Sequence, residues 1–363
     1  MIASISARAA GASFIGATVL LTSAAVAATV YTETNSASGN EIQIYDSAAN
    51  GTLVLSAEVP TGGRGSGGGL GSQGALALSA DHRTLFAVNA ASNDVSAFAI
   101  TDSGLTLADR VASGGTEPIS VTVHDGLLYV VNAGGSGNIA GFAIGLDGRL
   151  SPIAGSSRPL SQAAAGPAQI GFDRDGASLL VTEKATSRLV VYPLSAGVPG
   201  APLVHASHGM TPFGFAFSRG ELLVSEAFGG RPNASALSSY QFDDGGSELS
   251  LLSGSVPTDQ TAACWVVVAQ HGRYAYVTNT GSGTVTGYRV ERNGTLTRLG
   301  EGPTAITGGS PTDADVDREG ATLYVLSPSI GQIDLFEVNA DGSLTPSGTA
   351  PGAPASAAGL VVR

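Results

Sequence analysis

A unit of about fifty residues recurs along the chain, each copy reading as an apolar run, a turn, a second apolar run that ends in a polar residue, and a Gly/Ser-rich loop. The second run appears at Leu85–Asn89, Leu128–Asn132, Leu179–Glu183, Leu222–Glu226, Ala275–Asn279 and Leu323–Ser327, with a degenerate copy at Thr29–Thr34. Repetition on this scale restricts the fold to arrays of small, similar modules, because no single copy can bury its own apolar surface.

One copy shows what the module is. From Ala75 the chain reads ALALS, the turn Ala80–Arg83, TLFAVN, a short loop, DVSAFAI, the turn Thr101–Gly104, and LTLADRV. These are four strand-length runs rich in β-branched and aromatic residues with turn residues between them. The last hairpin turns repeat as Asn50-Gly51, Asp147-Gly148, Asn293-Gly294 and Asp341-Gly342, where glycine supplies a positive φ without steric strain. Four short antiparallel strands per unit and no helical period predict an all-β, seven-bladed β-propeller with four-stranded antiparallel blades. The N-terminal unit begins at its second strand, and Ala358–Val362 matches a first strand. The ring is therefore expected to close by the C-terminal strand joining the N-terminal blade.

Residues 1–27 carry Arg8, an apolar stretch from Ala12, and the ending Ala25-Val26-Ala27, which reads as a secretory signal peptide with an A-x-A cleavage site. Residues 28–363 form a single propeller domain, and the mature chain is expected to be secreted or periplasmic, monomeric and not inserted in a membrane. The formal net charge is -12 at pH 7. Such an acidic surface argues against nucleic acid and anionic membranes as partners, and against a polyanionic substrate. Lys184 is the sole lysine. The single cysteine, Cys264, lies in the apolar run Ala262–Val268 and is expected to be buried and unreactive.

In a propeller the first strand of each blade (A) lines the channel, and the D–A and B–C connections open on one face. Starts of A strands and ends of B strands therefore converge on one rim. His82, His124 and His271 fall in A–B turns on the opposite face. His205 and His208 lie beside the rim between the fourth and fifth blades, whose B strands end in Glu183 and Glu226, and Lys184 follows Glu183. Glu183, Lys184, His208 and Glu226 thus form a candidate catalytic group for general acid–base work, with a structural Glu–Lys or Glu–His network, or solvated loop charges, as the alternative. Gln169, Trp265 and Asp313 at A-strand starts, with Asn89, Asn132 and Asn279 at B-strand ends, are candidate substrate-binding residues. The asparagines serve equally well as caps of the Gly/Ser turns.

The Gly-rich run Gly62–Gly71 enters no helix and lacks a Gly-Lys-Ser/Thr ending, so it reads as a flexible D–A loop rather than a nucleotide site. No G-x-S-x-G elbow is present, and the His205/His208 pair lacks further ligands, so neither a metal nor a cofactor is expected.

The hairpin LYVVNAGGSGNIAGFAI, the following DGRL, and the Gly-x-x-Pro entry into the next blade (Gly115–Pro118, with Met210–Pro212 and Gly309–Pro311 similar) resemble the lactonase-type seven-bladed propellers, the family of 6-phosphogluconolactonases and carboxy-muconate lactonising enzymes. Cytoplasmic members carry a histidine shortly after that proline. Here the corresponding positions read Ser120, Gln169, Gly214 and Asp313, so the likeness does not extend to 6-phosphogluconolactone as substrate. Segments such as VTEKATSRLVVY and TAACWVVV look like an exported bacterial branch. The resemblance implies hydrolysis or isomerisation of a small lactone or ester at the channel mouth. The alternative is a non-catalytic propeller that binds a small ligand, carbohydrate or partner protein on the same face.

Overall fold

The structure is a computed structural model that describes residues 1, 28–48, 52–243 and 246–363. The expected signal segment and the Asn50-Gly51 turn lie outside the described residues. Seven antiparallel sheets form the blades of a propeller. The A strands are Leu76–Leu78, Pro118–His124, Pro167–Phe172, Pro212–Ser218, Ala263–Ala269, Asp313–Val316 and Ala358–Val362, for blades 2 to 7 and then blade 1. In blades 3, 4 and 6 the outermost strand is split into two short pieces, both paired with strand C.

Each B strand is sandwiched between neighbouring blades, which is why the repeat reads as a continuous apolar run instead of a half-buried alternation. Ser178–Glu183 and Tyr274–Asn279 are buried along their whole length, whereas the outer strand Leu53–Pro60 is mostly exposed. Seven apolar clusters result, one per blade interface. Tyr129, Tyr192, Phe86, Phe98 and Phe142 are among the fully buried side chains, each contributing roughly 1.5–3 kcal/mol on removal from water. At the Asp147, Asn293 and Asp341 turns the carboxylate or amide oxygen accepts the backbone N–H two residues on (3.2, 3.2 and 2.9 Å). The following Gly148, Gly294 and Gly342 take φ of 79°, 78° and 87°.

The ring closes as the repeat predicts. Ala358–Val362 pairs antiparallel with Thr29–Glu33, setting Val30 opposite Val362 and Thr32 opposite Leu360. Backbone bonds between Thr29 and Arg363 extend the ladder (3.2 and 2.9 Å). Blade 1 meets blade 7 through a cluster that includes Val30, Tyr45, Tyr324, Leu326 and Leu360. Inside the channel, Asp315 Oδ2 accepts the Val362 N–H at 2.9 Å, tying the closing strand to blade 7.

Two expectations follow. Deleting residues 358–363 exposes a sheet edge and removes Leu360 and Val362 from the core, so the truncated protein should lose its cooperative melting transition, total stability being only about 5–15 kcal/mol. An unchanged transition would contradict the closure. The second concerns Asp315, whose carboxyl is pushed up to about 7, first by burial and then by Asp317, against the Val362 and Val316 N–H groups that lower it. Between the ordinary carboxylate pKa and that value the native state holds a proton that the unfolded state has lost, so this group destabilises the fold as pH rises through that window. Asp315→Asn should therefore gain about 1–4 kcal/mol relative to wild type between pH 4.5 and pH 8 in chemical denaturation. A difference that does not change with pH would show that Asp315 titrates normally.

Candidate functional site

The channel mouth is shaped by how strand A begins. The preceding residue is left-handed in four blades, at Glu117, Gly166, Thr211 and Ala262 (φ 56°, 62°, 58° and 56°). Pairing to strand B then slips a residue or more at Pro118/Ser120, Pro167/Gln169, Pro212/Phe215 and Ala263/Val266. Bulged residues turn away from the ladder. Here they gather Ala168, Phe213, Cys264 and Trp265 into a small apolar cluster, with the Phe213 and Trp265 rings tilted at 5.2 Å. A cavity of about 290 Å³ opens against it, walled also by Thr280, Thr312 and Ala357–Gly359.

The fourth wall comes from the Gly-rich loop, which the sequence reads as flexible but which is pinned in place. Asn35 holds Ser66 through its Nδ2 (2.9 Å) and Oδ1 (2.8 Å), and Gly65 runs so close that a Cβ there would lie 2.1 Å from the Asn35 backbone. Gly69–Ser72 line the cavity. Gln73 then reaches across the channel: its amide donates to Val266 O and accepts from Val266 N, both at 3.0 Å, while its backbone N–H bonds Ala168 O at 3.0 Å. A Cβ on Gly214 would stand 2.0 Å from Gln73 Oε1, so only glycine admits this crossing. Gln73 itself lines the channel of about 400 Å³ that the A strands enclose, together with Asp313 and Asp315.

Polar groups in the cavity wall and near it are left incomplete. Trp265 Nε1, Asp313 Oδ2 and Glu33 Oε1 are buried with no hydrogen-bond partner, a condition most buried polar atoms avoid. Burial pushes the Asp313 carboxyl well above the usual range; Asp315 adds to the effect, and the N–H groups of Ala314, Trp265 and Leu360 oppose it. The Trp265 indole is therefore near enough to act on Asp313, yet neither Nε1 nor Oδ2 completes a bond. Burial, with the Asp313 charge as a smaller contribution, also raises Glu33, while Asn40 Nδ2 at 3.0 Å from Oε2 lowers it. Lys184 Nζ lies 4.8 Å from the Phe213 ring centroid and donates to Gly71 O, and burial lowers its pKa. Cys264 is 6% exposed, its Sγ 3.2 Å from Ala262 O. Burial raises the thiol to about 11, as expected of an unreactive cysteine. No group of three or more potential metal ligands occurs among the described residues.

The four residues predicted as one catalytic group divide into separate networks. Both oxygens of Glu183 are held: Oε1 by the Ser161 N–H (2.8 Å), Oε2 by the Thr186 hydroxyl (2.7 Å) and the Ser161 hydroxyl. Glu226 Oε1 accepts from Gly209 N (2.8 Å) and Ser238 Oγ (2.6 Å), and Oε2 accepts from Ser255 Oγ (2.6 Å). His208 joins this second network through Nδ1, 2.9 Å from Ser255 Oγ. No hydrogen bond or ion pair links Glu183 or Lys184 to Glu226 or His208 among the described residues. Asn89 bonds Asp94, Ser96, Asn40 and Thr61, Asn132 reaches Ser113 O at 3.3 Å, and Asn279 bonds Thr284 and Thr286. Gln169 bridges to the Phe215 backbone (3.1 and 2.6 Å), stitching strand A of blade 4 to that of blade 5. Of the sequence candidates, Trp265 lines the cavity, Lys184 lies beside it, and Asp313 lines the adjoining channel. Glu33 and Phe213 were missed. Glu33 occupies the same B-strand end as Glu183 and Glu226, a signal hidden by the degeneracy of its copy.

Comparisons agree with this architecture. No curated protein sequence matches the chain significantly. A Lactobacillus plantarum protein shares 19% identity at a TM-score of 0.75, covering 93% of this chain and 99% of its own. The periplasmic gluconolactonase of Pseudomonas aeruginosa shares 18% at 0.70, covering 93% and 98%, and a candidate 6-phosphogluconolactonase from Bacteroides fragilis shares 20% at 0.70, with the same coverage. The family model for lactonases of the seven-bladed β-propeller type matches residues 65–223 and 225–351, and with blades, closure and mouth all in place the chain belongs to that lactonase family.

Proposed function

We propose that this protein is an exported lactonase that hydrolyses a small lactone in the mouth cavity, with Asp313 as general base and the Trp265 N–H and Lys184 ammonium as oxyanion donors. The observation that carries the reading is the unpartnered, buried Trp265 Nε1 in the wall of a small aromatic cavity, beside an equally unpartnered Asp313 Oδ2 that lines the adjoining channel. Incomplete buried groups mark where a ligand's polar atoms or a water complete the bonding. A volume of about 290 Å³ suits a single small ring.

The chemistry balances with the groups present. Asp313 takes a proton from water as the oxygen attacks the lactone carbonyl. The resulting oxyanion is stabilised by donors in a water-poor setting, where such interactions are strong. Collapse breaks the ring C–O bond, the departing alkoxide recovers the proton from Asp313, and the resulting hydroxy acid ionises, releasing its carboxyl proton to solvent. A carboxyl raised by burial is a better base than an ordinary one. Cys264 is at the cavity wall but stays a thiol at neutral pH. The hydrogen bonds that saturate Glu183 and Glu226 suit them to fixing the D–A loops that frame the mouth. Export is supported by the signal-like residues 1–27 and by the periplasmic location stated for the Pseudomonas aeruginosa protein.

A panel of five- and six-membered lactones assayed by proton release should yield a substrate for the purified mature protein. Asp313→Asn should then lower kcat/KM by about a hundredfold or more and abolish an activity limb that rises with pH above the ordinary carboxylate range, whereas Cys264→Ala should retain activity. A larger loss in Glu183→Gln or His208→Ala than in Asp313→Asn would move the chemistry to the rim of blades 4 and 5. Absence of turnover on every lactone would favour the binding-scaffold alternative.

A further inference from the structure

The opposite face of the ring, where the A–B and C–D turns emerge, carries a second concavity that the lactonase reading does not use. It has a volume of about 1160 Å³ and lies between blades 5, 6 and 7. Arg219, Arg273, Arg289 and Arg292 line it together with His271. The chain has seventeen basic residues against twenty-nine acidic ones, so four arginines in one cleft are a marked local excess. Salt bridges elsewhere engage Arg110, Arg149 and Arg298. Among the described residues no carboxylate oxygen lies within 4 Å of a cleft guanidinium, and no hydrogen bond from one is formed.

The cleft is also firmly built. Gln270 and His271 are consecutive non-glycine residues at φ 47° and 56°, a left-handed pair that persists only where its surroundings impose it. Gln270 Nε2 is anchored to Val338 O (3.1 Å) and Asn339 O (3.0 Å) of blade 7, and Tyr274 Oη to Ala340 O (3.0 Å). The Arg219 side chain lies along Gly272, within 2.8 Å of where a Cβ would stand, and so projects from blade 5 onto blade 6. Arg273 rests over the Tyr274 ring at 5.5 Å. Glu291, Glu319 and Asp341 share the lining, and Asp341 is occupied by Ser343 of its own turn (2.9 and 2.7 Å).

We infer that this cleft binds a sugar-sized oxyanion, a small polyhydroxylated molecule whose carboxylate or phosphate head is held by the guanidiniums and whose hydroxyls donate to Glu291 and Glu319. Guanidinium groups present paired donors that match both head groups. The carboxylates in the same lining, and the acidic surface around them, repel extended polyanions. The site lies on the face opposite the mouth, so its occupancy is separable from turnover.

The test is isothermal titration of the mature protein, at low ionic strength, with gluconate, with glucose 6-phosphate and with neutral glucose. Saturable binding of at least one anion and none of glucose is expected, and the stronger of the two identifies the head group. Arg289→Ala/Arg292→Ala should weaken that binding by about tenfold or more, and Lys184→Ala, at the mouth, should leave it unchanged. Since both arginines are solvent-exposed, the variant should melt as wild type does; Arg219→Ala provides a second variant from another blade. Failure of both anions to bind, equal binding of glucose, loss of binding in Lys184→Ala, or full retention of affinity in both arginine variants would overturn the assignment.

Discussion

The pairing of Ala358–Val362 with Thr29–Glu33 is the contact on which the rest of the molecule depends. Without it the ring has two open sheet edges and blade 1 lacks its channel-lining strand. The same strand also assembles the mouth. Ala358 and Gly359 stand in the cavity wall, the Val362 N–H holds Asp315, and the Leu360 N–H acts on Asp313. Gly359, at φ 68°, passes so close to Leu76 that a Cβ would lie 2.9 Å from its side chain, packing the closing strand against blade 2 as well. Fold closure and site construction are therefore one event, and an incompletely closed ring would have no site.

A second constraint recurs at the end of each B strand. That position lies where a D–A loop crosses between blades, and the loop brings backbone N–H and C=O groups into a buried place. Leaving such groups unpaired costs about 1–3 kcal/mol each, so every copy supplies a side chain with hydrogen-bonding capacity. Asparagine serves where the neighbours are hydroxyls, as Asn279 does with Thr284 and Thr286. Glutamate serves where every neighbour donates to it, as the Gly209 N–H and the Ser238 and Ser255 hydroxyls do to Glu226. Glu33 leaves one carboxylate oxygen without a donor, as Asn132 and Asn279 leave their amide oxygens. It is also the copy whose charge couples to Asp313.

The blades, their turns and the closure were legible because each leaves a local signature: period, Asp-Gly or Asn-Gly, and an orphan strand at each end. The rim was legible too, since strand order alone assigns residues to a face. What spacing could not provide was distance. Glu183 and Glu226 break the asparagine pattern and the loop between their blades supplies His208, but whether such a break means chemistry or clamping depends on which donors the loops deliver, and Ser161, Ser238 and Ser255 carry no mark of that role. The Gly-rich loop was opaque for a related reason. Its glycines signal backbone freedom, whereas here Gly63 and Gly65 are required by close packing against Asn89 and Asn35, so composition that suggests mobility encodes a tight fit.

The two faces of the ring hold different chemistry: a small aromatic cavity with an unsatisfied indole and a neighbouring unsatisfied acid at the mouth, and an open guanidinium cleft behind. The central claim is that substrate occupies the former. Trp265 is the only tryptophan in the sequence and lies in that cavity wall at 4% exposure, so the protein carries its own reporter. Titrating the Asp313→Asn protein with a lactone that the wild type turns over, while following tryptophan emission, should give a saturable change, with a midpoint close to the wild-type KM where chemistry is slower than dissociation. Turnover by wild type with no change in emission at saturating lactone would place the substrate elsewhere and contradict the account.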